Sequence, residues 1–400
     1  MKNINLLCLG CMKEKTRDGV CPYCSFDLEE YNSLVHHLKP QTILNGKYLI
    51  GRVLGEGGFG ITYIGCDLNL GIPLAIKEYF PNGFVTRDGN YTNMVSSLGG
   101  KTKQIYEHGK EGFIKEAEIL GRFYSMPEIV QVRDLFQENG TAYIVMEYVV
   151  GETLSQYLKN FEKYGNHMLV NSILELMKPL IQALGKIHTQ GLIHRDISPD
   201  NIMIIDNGRK AKLLDFGAAR EFVNDGKSLS VLLKSGYAPE EQYRTRGKQG
   251  PWTDVYALCA TIYRAITGQK IIDSLERLIE DNVKRPSELG IIIEPDIENA
   301  LMKGLAVLGK DRWQDMQQLY NVFYLNGEFT EYRTDSELYE VEKRNREDKK
   351  VYALDERKTG SKKYEIIDEE KRIIKYIIGE IVTVVGMMGL VVLLFIISYF

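Results

Sequence analysis

The sequence predicts an α+β protein of two lobes, β-rich then helical, with a small cysteine module in front and one apolar span behind. Three observations predict it. Between residues 46 and 149, β-branched and aromatic runs alternate with glycine-rich turns. Beyond Gly151, apolar residues recur at helical spacing, as in Leu169, Ile173, Leu176, Leu180, Leu184 and Ile187. Composition also shifts at both ends: four of the six cysteines fall in the first 24 residues, and residues 381–400 carry no charge. The boundaries are drawn at 1–27 for the cysteine module, 28–45 for a linker, 46–325 for the two lobes, 326–372 for a charged spacer and 373–400 for the span.

A hydrophobic share of 44% and a charged share of 26% are ordinary for a globular chain of 400 residues. The formal net charge of −4 leaves no basic footprint, so no nucleic-acid partner is expected. The start, MKNINLLCLGC, has too short an apolar run for a signal peptide, so the folded part is expected in the cytosol. There thiols stay reduced, and paired Cys-x-x-Cys motifs favour metal over disulfides.

Cys8 and Cys11 form one such pair, Cys21 and Cys24 another. Two knuckles this close can place four thiolates tetrahedrally around Zn²⁺. The segment is too short to bury a core, so bound metal would supply its folding energy. Four cysteine ligands leave no open position, which makes the module, similar to a small zinc ribbon, structural or partner-binding. Residues 28–45 read as a polar linker with a helix around 28–38, and His36 and His37 as solvated linker histidines.

From Tyr48 the pattern is strand-like: an apolar run, the cluster Gly55-Glu56-Gly57-Gly58-Phe59-Gly60, then β-formers again. Glycines in such a hairpin let bare backbone amides approach a phosphate. A dinucleotide fingerprint would need these glycines to open a helix, and here a second β-rich run follows. LAIKE, residues 74–78, reads as a short strand carrying Lys77. Residues 79–112, rich in Gly, Asn and Tyr, read as an irregular insertion, and 113–124 as a helix with Glu116 and Glu118 near its middle. Two further β-rich runs end at Met146-Glu147-Tyr148-Val149. Helices are expected over 153–162 and 168–189.

The stretch LIHRDISPDNIMIIDNGRKAKLLDFG, residues 192–217, puts Asp196 and Asp215 in loops with Asn201 between them. One carboxylate can orient a hydroxyl while Asn and the second Asp hold Mg²⁺ against phosphates. H-R-D-x-x-x-x-N followed by D-F-G, with the upstream glycine cluster and A-x-K, resembles the catalytic core of the protein kinases, in particular the bacterial eukaryotic-like (Hanks-type) serine/threonine members. The resemblance covers residues 46–325 and closes on Ala238-Pro239-Glu240, the A-P-E signature.

It implies the two-lobe protein kinase fold and transfer of the γ-phosphoryl of Mg·ATP to protein hydroxyls. Asp196 would take the hydroxyl proton, and Asn201 and Asp215 would hold Mg²⁺. Lys77 would grip the α- and β-phosphates, braced by Glu116, with Glu118 as the rival brace. Gly55, Gly57, Gly58 and Gly60 would cover the phosphates. Leu54, Thr62 (where valine is usual) and Ala75 would wall the nucleotide. Met146 would be the gatekeeper, and backbone groups near Glu147 and Val149 would meet the adenine edge. His194 would be a buried support, Arg195 would meet a phosphate or carboxylate of the activation segment, Asp254 would tie the catalytic-loop backbone, and Arg312 would pair with Glu240. Cys259 reads as a small buried hydrophobe. Ser228, Ser230 and Ser235 lie in the activation segment, where a second copy of the chain could act in autophosphorylation.

Two departures stand out. Ser198 occupies the position where these kinases carry a lysine, and KSGYAPE is one residue short and lacks the customary threonine. That lysine and threonine normally touch near the substrate hydroxyl. Lys234, three residues before Tyr237, is therefore expected to supply the displaced charge. Two other readings share these motifs: a pseudokinase scaffold, which would usually lack one of Lys77, Asp196 or Asp215, and a small-molecule phosphotransferase, which is not expected to combine this glycine loop with Arg195 and A-P-E. The expected partners are ATP, protein substrates and a protein that binds the zinc ribbon.

Residues 326–370 mix charges of both signs and read as a spacer. The twenty uncharged residues 381–400 are long enough to cross a bilayer. Lys371, Arg372 and Lys375 favour a cytoplasmic flank, which makes this a single-pass membrane protein with its kinase domain in the cytoplasm. Nothing follows the span, so no external sensor domain is expected on this chain.

Overall fold

Six antiparallel strands form the first lobe's sheet in a computed structural model that describes residues 6–14, 19–163, 165–216, 233–244 and 247–325. They are β1 (Ile43–Leu44), β2 (Tyr48–Gly57), β3 (Gly60–Asp67), β4 (Ile72–Tyr79), β7 (Val132–Glu138) and β8 (Thr141–Glu147), in the order β1-β2-β3-β4-β8-β7. The hairpin β5 (Val85–Thr86) with β6 (Ser96–Ser97) and helix α1 (Lys101–Gly121) lie between β4 and β7. Strand β8 is buried on both faces, because α1 packs on one side of the sheet and Tyr143 faces a polar network on the other.

That network is centred on Glu78, which is wholly buried. Arg87 donates from both terminal nitrogens to its two oxygens, at 2.7 and 2.6 Å, and the hydroxyls of Tyr63 and Tyr143 donate as well. A charge out of water is tolerated only when it is paired and hydrogen-bonded in this way.

The cysteine module packs directly on this lobe. Leu7, Leu9 and Met12 join Leu49, Ile64 and Cys66 in one apolar cluster. The β2–β3 register shifts between Ile50 and Val53, and there Arg52 N–H donates to Leu9 O (2.8 Å) while Val53 N–H donates to Tyr31 Oη (2.9 Å). The bulge thus turns backbone donors outward to the N-terminal segment.

Two expectations for this lobe are corrected. No helix forms over 28–38; the segment runs as a strap of local turns tied to the lobe by backbone bonds, with Leu38 N–H donating to Tyr63 Oη and Gly89 N–H to Val35 O. Tertiary partners satisfy groups that a helix would have used. The helix read as 113–124 begins at Lys101, inside the stretch taken for irregular insertion. Gly109 disguised it, since glycine weakens a helix. A Cβ there would meet Tyr79 Oη at 2.1 Å, so the close approach of β4 requires glycine.

The second lobe is helical. A small sheet, β9 (Glu152–Thr153), β10 (Ile202–Ile205) and β11 (Lys210–Leu213), sits under the cleft in the order β11-β10-β9. Helix α2 (Leu154–Glu162) starts on a Thr153–Gln156 capping box. Helix α3 (Val170–His188) buries the predicted stripe, with the exception of the exposed Leu169 just before it. Short α4 (Glu240–Tyr243) precedes α5 (Pro251–Thr267), the central helix, buried from Thr253 to Tyr263; α6 (Ser274–Arg277), α7 (Pro295–Gly304) and α8 (Met316–Tyr324) surround it. Cys259 is wholly buried on α5, and Gly304 lets α7 approach, since a Cβ there would meet its Sγ at 2.3 Å.

The apolar run 381–400, the spacer before it and most of the activation segment, with Ser228 and Ser230, lie outside the described residues. Among the described residues no helix is long and apolar enough to cross a membrane.

Candidate active site

A cleft of ≈ 660 Å³ opens between the sheet and the helical lobe. Its floor is the loop 194–201, which α5 holds from below. Asp254, with no exposed surface, accepts the N–H groups of His194 and Arg195 at 2.8 Å each and lies 2.8 Å from His188 Nε2. Burial pushes its carboxyl up, but the bond and charge of His188, helped by the Arg195 N–H, hold it below the usual range. Arg195 has φ +66°, a left-handed conformation costly for a side-chain-bearing residue, and the Asp254 bonds fix it there. Its Nε donates to Gln249 Oε1 at 3.0 Å, a neutral amide.

His194 is buried, and burial holds its imidazole below its ordinary value. Its Nε2 lies 2.7 Å from Leu214 O, and its ring is 4.3 Å from that of Phe216. The loop is thereby fastened to the residues on both sides of Asp215. Asn201 Nδ2 donates to Asp196 twice, to the backbone oxygen at 2.7 Å and to Oδ2 at 2.8 Å. Asp215, at φ +38°, points across the cleft to Lys77, with Oδ1 3.2 Å from Nζ.

Lys77 lies on β4 beneath the glycine hairpin. Burial lowers its ammonium, but the charges of Asp215 and Glu116 outweigh this and hold it above the usual lysine value. Helix α1 turns Glu116 inward and buries it, while Glu118 is exposed. The helical phase therefore separates the two carboxylates that the sequence left as rivals.

The glycine cluster forms the β2–β3 hairpin, with Gly57 opposite Gly60. A Cβ at Gly60 would meet Glu78 O at 2.4 Å, so packing demands that glycine. At Gly55 and Gly57 a Cβ would meet nothing within 4 Å; no protein atom requires glycine there. Leu54, Thr62, Ala75, Met146, Val149 and Gly58 line the same cleft. Glu147 closes β8; its N–H donates to Gln131 O at 3.0 Å, and its Oε1 accepts from Lys212 Nζ at 2.6 Å. Lys212, on β11, escaped sequence reading because an isolated strand lysine gives no signal.

The activation-segment anchor differs from expectation. Arg312 pairs with Glu241, not Glu240: its Nη1 and Nη2 donate at 2.7 and 3.1 Å to a carboxylate that is almost fully buried. Glu240 instead faces Arg244 one helical turn on. With Glu241 as the anchor, the count back to the catalytic loop gains one residue, so the segment is not shortened. Lys234 then stands at the threonine position. Its Nζ donates to Ser198 Oγ at 2.9 Å and lies 3.7 Å from Asp196 Oδ2. The apparent one-residue gap was the signal that the second glutamate is the one in register.

Away from the cleft, all four N-terminal sulfurs lie within 4.8 Å of one another. Cys8 Sγ is 3.6 Å from Cys24 Sγ, and Cys11 Sγ is 3.8 Å from Cys21 Sγ. Sulfurs around a tetrahedral Zn²⁺, at about 2.3 Å each, stand about 3.8 Å apart, so the set fits that ion. Burial pushes the Cys11 thiol up to about 12; at Cys21 burial acts the same way, but the N–H groups of Tyr23 and Cys24 and the neighbouring thiols win and bring it down to about 7.

His36 and His37 are not free linker side chains, although His36 stays partly exposed. His36 Nε2 is 2.9 Å from Glu56 Oε1 and His37 Nε2 is 3.0 Å from Oε2, with His37 buried. Sequence alone gave no reason to join a linker to the glycine hairpin.

Comparison with known proteins points the same way as the geometry. The family model of the protein kinase domain matches residues 48–299. Serine/threonine-protein kinase B of Synechocystis sp. is 30% identical over 238 residues, which cover 56% of this chain and 38% of that protein. PrkC of Bacillus subtilis, a serine/threonine-protein kinase, is 30% identical over 233 residues, covering 56% and 31%. The chain thus spans about two fifths or less of the length of these curated relatives. Among solved structures, the apo form of PpkA-294 aligns with a TM-score of 0.62 at 33% identity, over 72% of this chain and 99% of that one. The kinase domain of PknI from Mycobacterium tuberculosis, at 20% identity and a TM-score of 0.52, shares the fold.

Proposed function

Because the chain belongs to the protein kinase family, we propose that it transfers the γ-phosphoryl of ATP to serine or threonine hydroxyls of proteins. The observation that carries this reading is the convergence, in one cleft, of the Lys77–Asp215 pair (3.2 Å) and the Asn201–Asp196 bond (2.8 Å) under the glycine hairpin.

Each residue has a task in this reading. Asp196 accepts the hydroxyl proton and aims the oxygen, its carboxylate steadied by Asn201 Nδ2. Lys77, kept charged by Asp215 and Glu116, grips the α- and β-phosphates. Asn201 and Asp215 offer the hard oxygen donors that Mg²⁺ takes. The ion, when bound, would neutralise phosphate charge. The open space at Gly55 and Gly57 admits a phosphate chain against bare backbone. Val149 N–H and Glu147 O would meet the adenine edge, since Glu147 N–H is already given to Gln131.

Lys234 supplies the cation that Ser198 cannot. Its ammonium reaches the catalytic loop from the activation segment, and the small Ser198 side chain both makes room for it and accepts its hydrogen bond. The four cysteines hold a structural Zn²⁺, giving a ribbon suited to a protein partner, and residues 381–400 anchor the chain in a membrane with the kinase domain on the cytoplasmic side.

The test is transfer of labelled phosphate from ATP to a generic protein acceptor. Lys77→Met and Asp215→Asn should each lower it by at least about 10², the usual cost of losing one preorganised electrostatic group. Normal turnover in Asp215→Asn would refute the assignment.

A further inference from the structure

The strap that precedes the sheet ends on the glycine hairpin, and nothing in the catalytic reading uses it. Glu56 stands opposite Ile61 on the hairpin, between Gly55 and Gly57. Its two carboxylate oxygens are taken one each by His36 and His37, at 2.9 and 3.0 Å. The carboxylate answers to both: burial pushes its pKa up, and the His37 and His36 bonds more than offset this.

The strap is itself firmly held. Arg87 donates from Nε and Nη2 to His36 O, at 2.8 and 2.7 Å. The same guanidinium grips the buried Glu78, the residue after Lys77. The His36 ring stacks on Phe80 at 5.4 Å. Gly89 sits so close that a Cβ would meet Val35 O at 2.4 Å. Leu34 N–H donates to His37 Nδ1 at 3.2 Å, which leaves the neutral ring's proton on Nε2, facing Glu56. The arrangement is therefore a hydrogen-bond clasp: a cation between these three side chains would need the His37 Nε2 lone pair, which this tautomer does not offer.

We propose that His36 and His37 are positioning residues that fix the glycine hairpin over the cleft through Glu56, and so set the affinity for the nucleotide; this rests on the kinase reading of the cleft. A hairpin of glycines has many conformations, and only those near the phosphate path bind. Two bonds to a rigid strap raise the fraction of the competent one, and apparent affinity follows that fraction. Neither histidine reaches the reacting atoms, so the effect falls on nucleotide binding and not on the transfer step.

The experiment compares the full chain with Glu56→Gln, His36→Ala/His37→Ala and the triple variant, by binding of a fluorescent ATP analogue with Mg²⁺ and by the KM and kcat for ATP. Each variant should raise the analogue's Kd and the KM by about 3–10-fold, with kcat nearly unchanged, as expected for a lost preorganisation. The triple variant should be no worse than either part, because all three changes break one clasp. Glu56→Gln leaves every other strap contact in place, so it reads the clasp even if loss of His37 unfolds the strap. Unchanged Kd in Glu56→Gln, or effects that multiply in the triple variant, would overturn the proposal. The binding arm needs no turnover, so a chain that binds nucleotide but labels no protein would refute the kinase reading and leave the clasp standing or falling on Kd.

Discussion

Replacing Lys234 with alanine removes a unit charge 3.7 Å from Asp196 Oδ2 and a hydrogen bond to Ser198. Two opposite unit charges about 4 Å apart interact by about 4 kcal/mol at an effective dielectric constant of about 20. Only the part that grows as the phosphoryl group leaves ATP lowers the barrier. The Lys234 side chain is 31% exposed, and solvent screens it further. A differential of about 1.4–2.7 kcal/mol remains, a loss of roughly 10–10² in kcat. The assay is steady-state transfer to a protein acceptor with both substrates varied, and the KM for ATP should barely move, because the contact is strongest in the transition state. Adding Ser198→Lys to Lys234→Ala should restore part of the rate, since the cation then returns to the catalytic loop. An unchanged kcat in Lys234→Ala refutes the reasoning.

Glu241→Ala should destabilise the fold by about 3–5 kcal/mol, the cost of leaving Arg312 buried and unpaired, while Glu240→Ala should do much less; equal shifts in melting temperature would contradict the Glu241 anchor. The protein should carry about one Zn²⁺ through Cys8, Cys11, Cys21 and Cys24, and a chelator should remove it and loosen the module; elemental analysis without zinc would count against this. The full chain should sediment with membranes through alkaline carbonate, and a chain ending near Arg372 should not, as a span of about 20 apolar residues requires; a full chain that stays in the supernatant would contradict the anchor.

The residues that gather in the candidate site were legible because they are written in short runs. Asp196 and Asn201 directly precede the β10–β11 hairpin and Asp215 directly follows it, and Lys77 lies on the next strand after the glycine hairpin. The choice of Glu116 over Glu118 needed the phase of α1, which sequence blurred by placing Gly109 inside the helix. What sequence could not show lies in contacts between distant segments. Arg87 reaching Glu78 looks like any loop arginine, and a buried carboxylate next to Lys77 looks like any charged strand end. His36 and His37 read as unpartnered because Glu56, which both meet, lies on a hairpin whose glycines suggest freedom. The Glu240 assignment failed for a different reason: two glutamates in a row satisfy the same motif, and only the burial of Arg312 against Glu241 separates them.

On the proposed reading, the relocation of one cation changes what the activation segment does. A lysine on the catalytic loop would be fixed by Asp254, which holds the backbone at His194 and Arg195 whatever the segment is doing. Lys234 instead belongs to the segment. Its backbone oxygen accepts the N–H groups of Tyr237 and Ala238, at 3.0 Å each. That turn leads within a few residues to Glu241, which Arg312 holds by two hydrogen bonds. The ammonium therefore reaches Ser198 and Asp196 only while this short stretch is seated against α5 and the residues around Arg312. Asp196 can keep its geometry through Asn201 and Asp254 with the stretch displaced, but it would then lack its cation. On the proposed reading, the seating of residues 234–241 and the electrostatics of the transfer site are one condition in this chain, where a loop-borne lysine would have kept them separate.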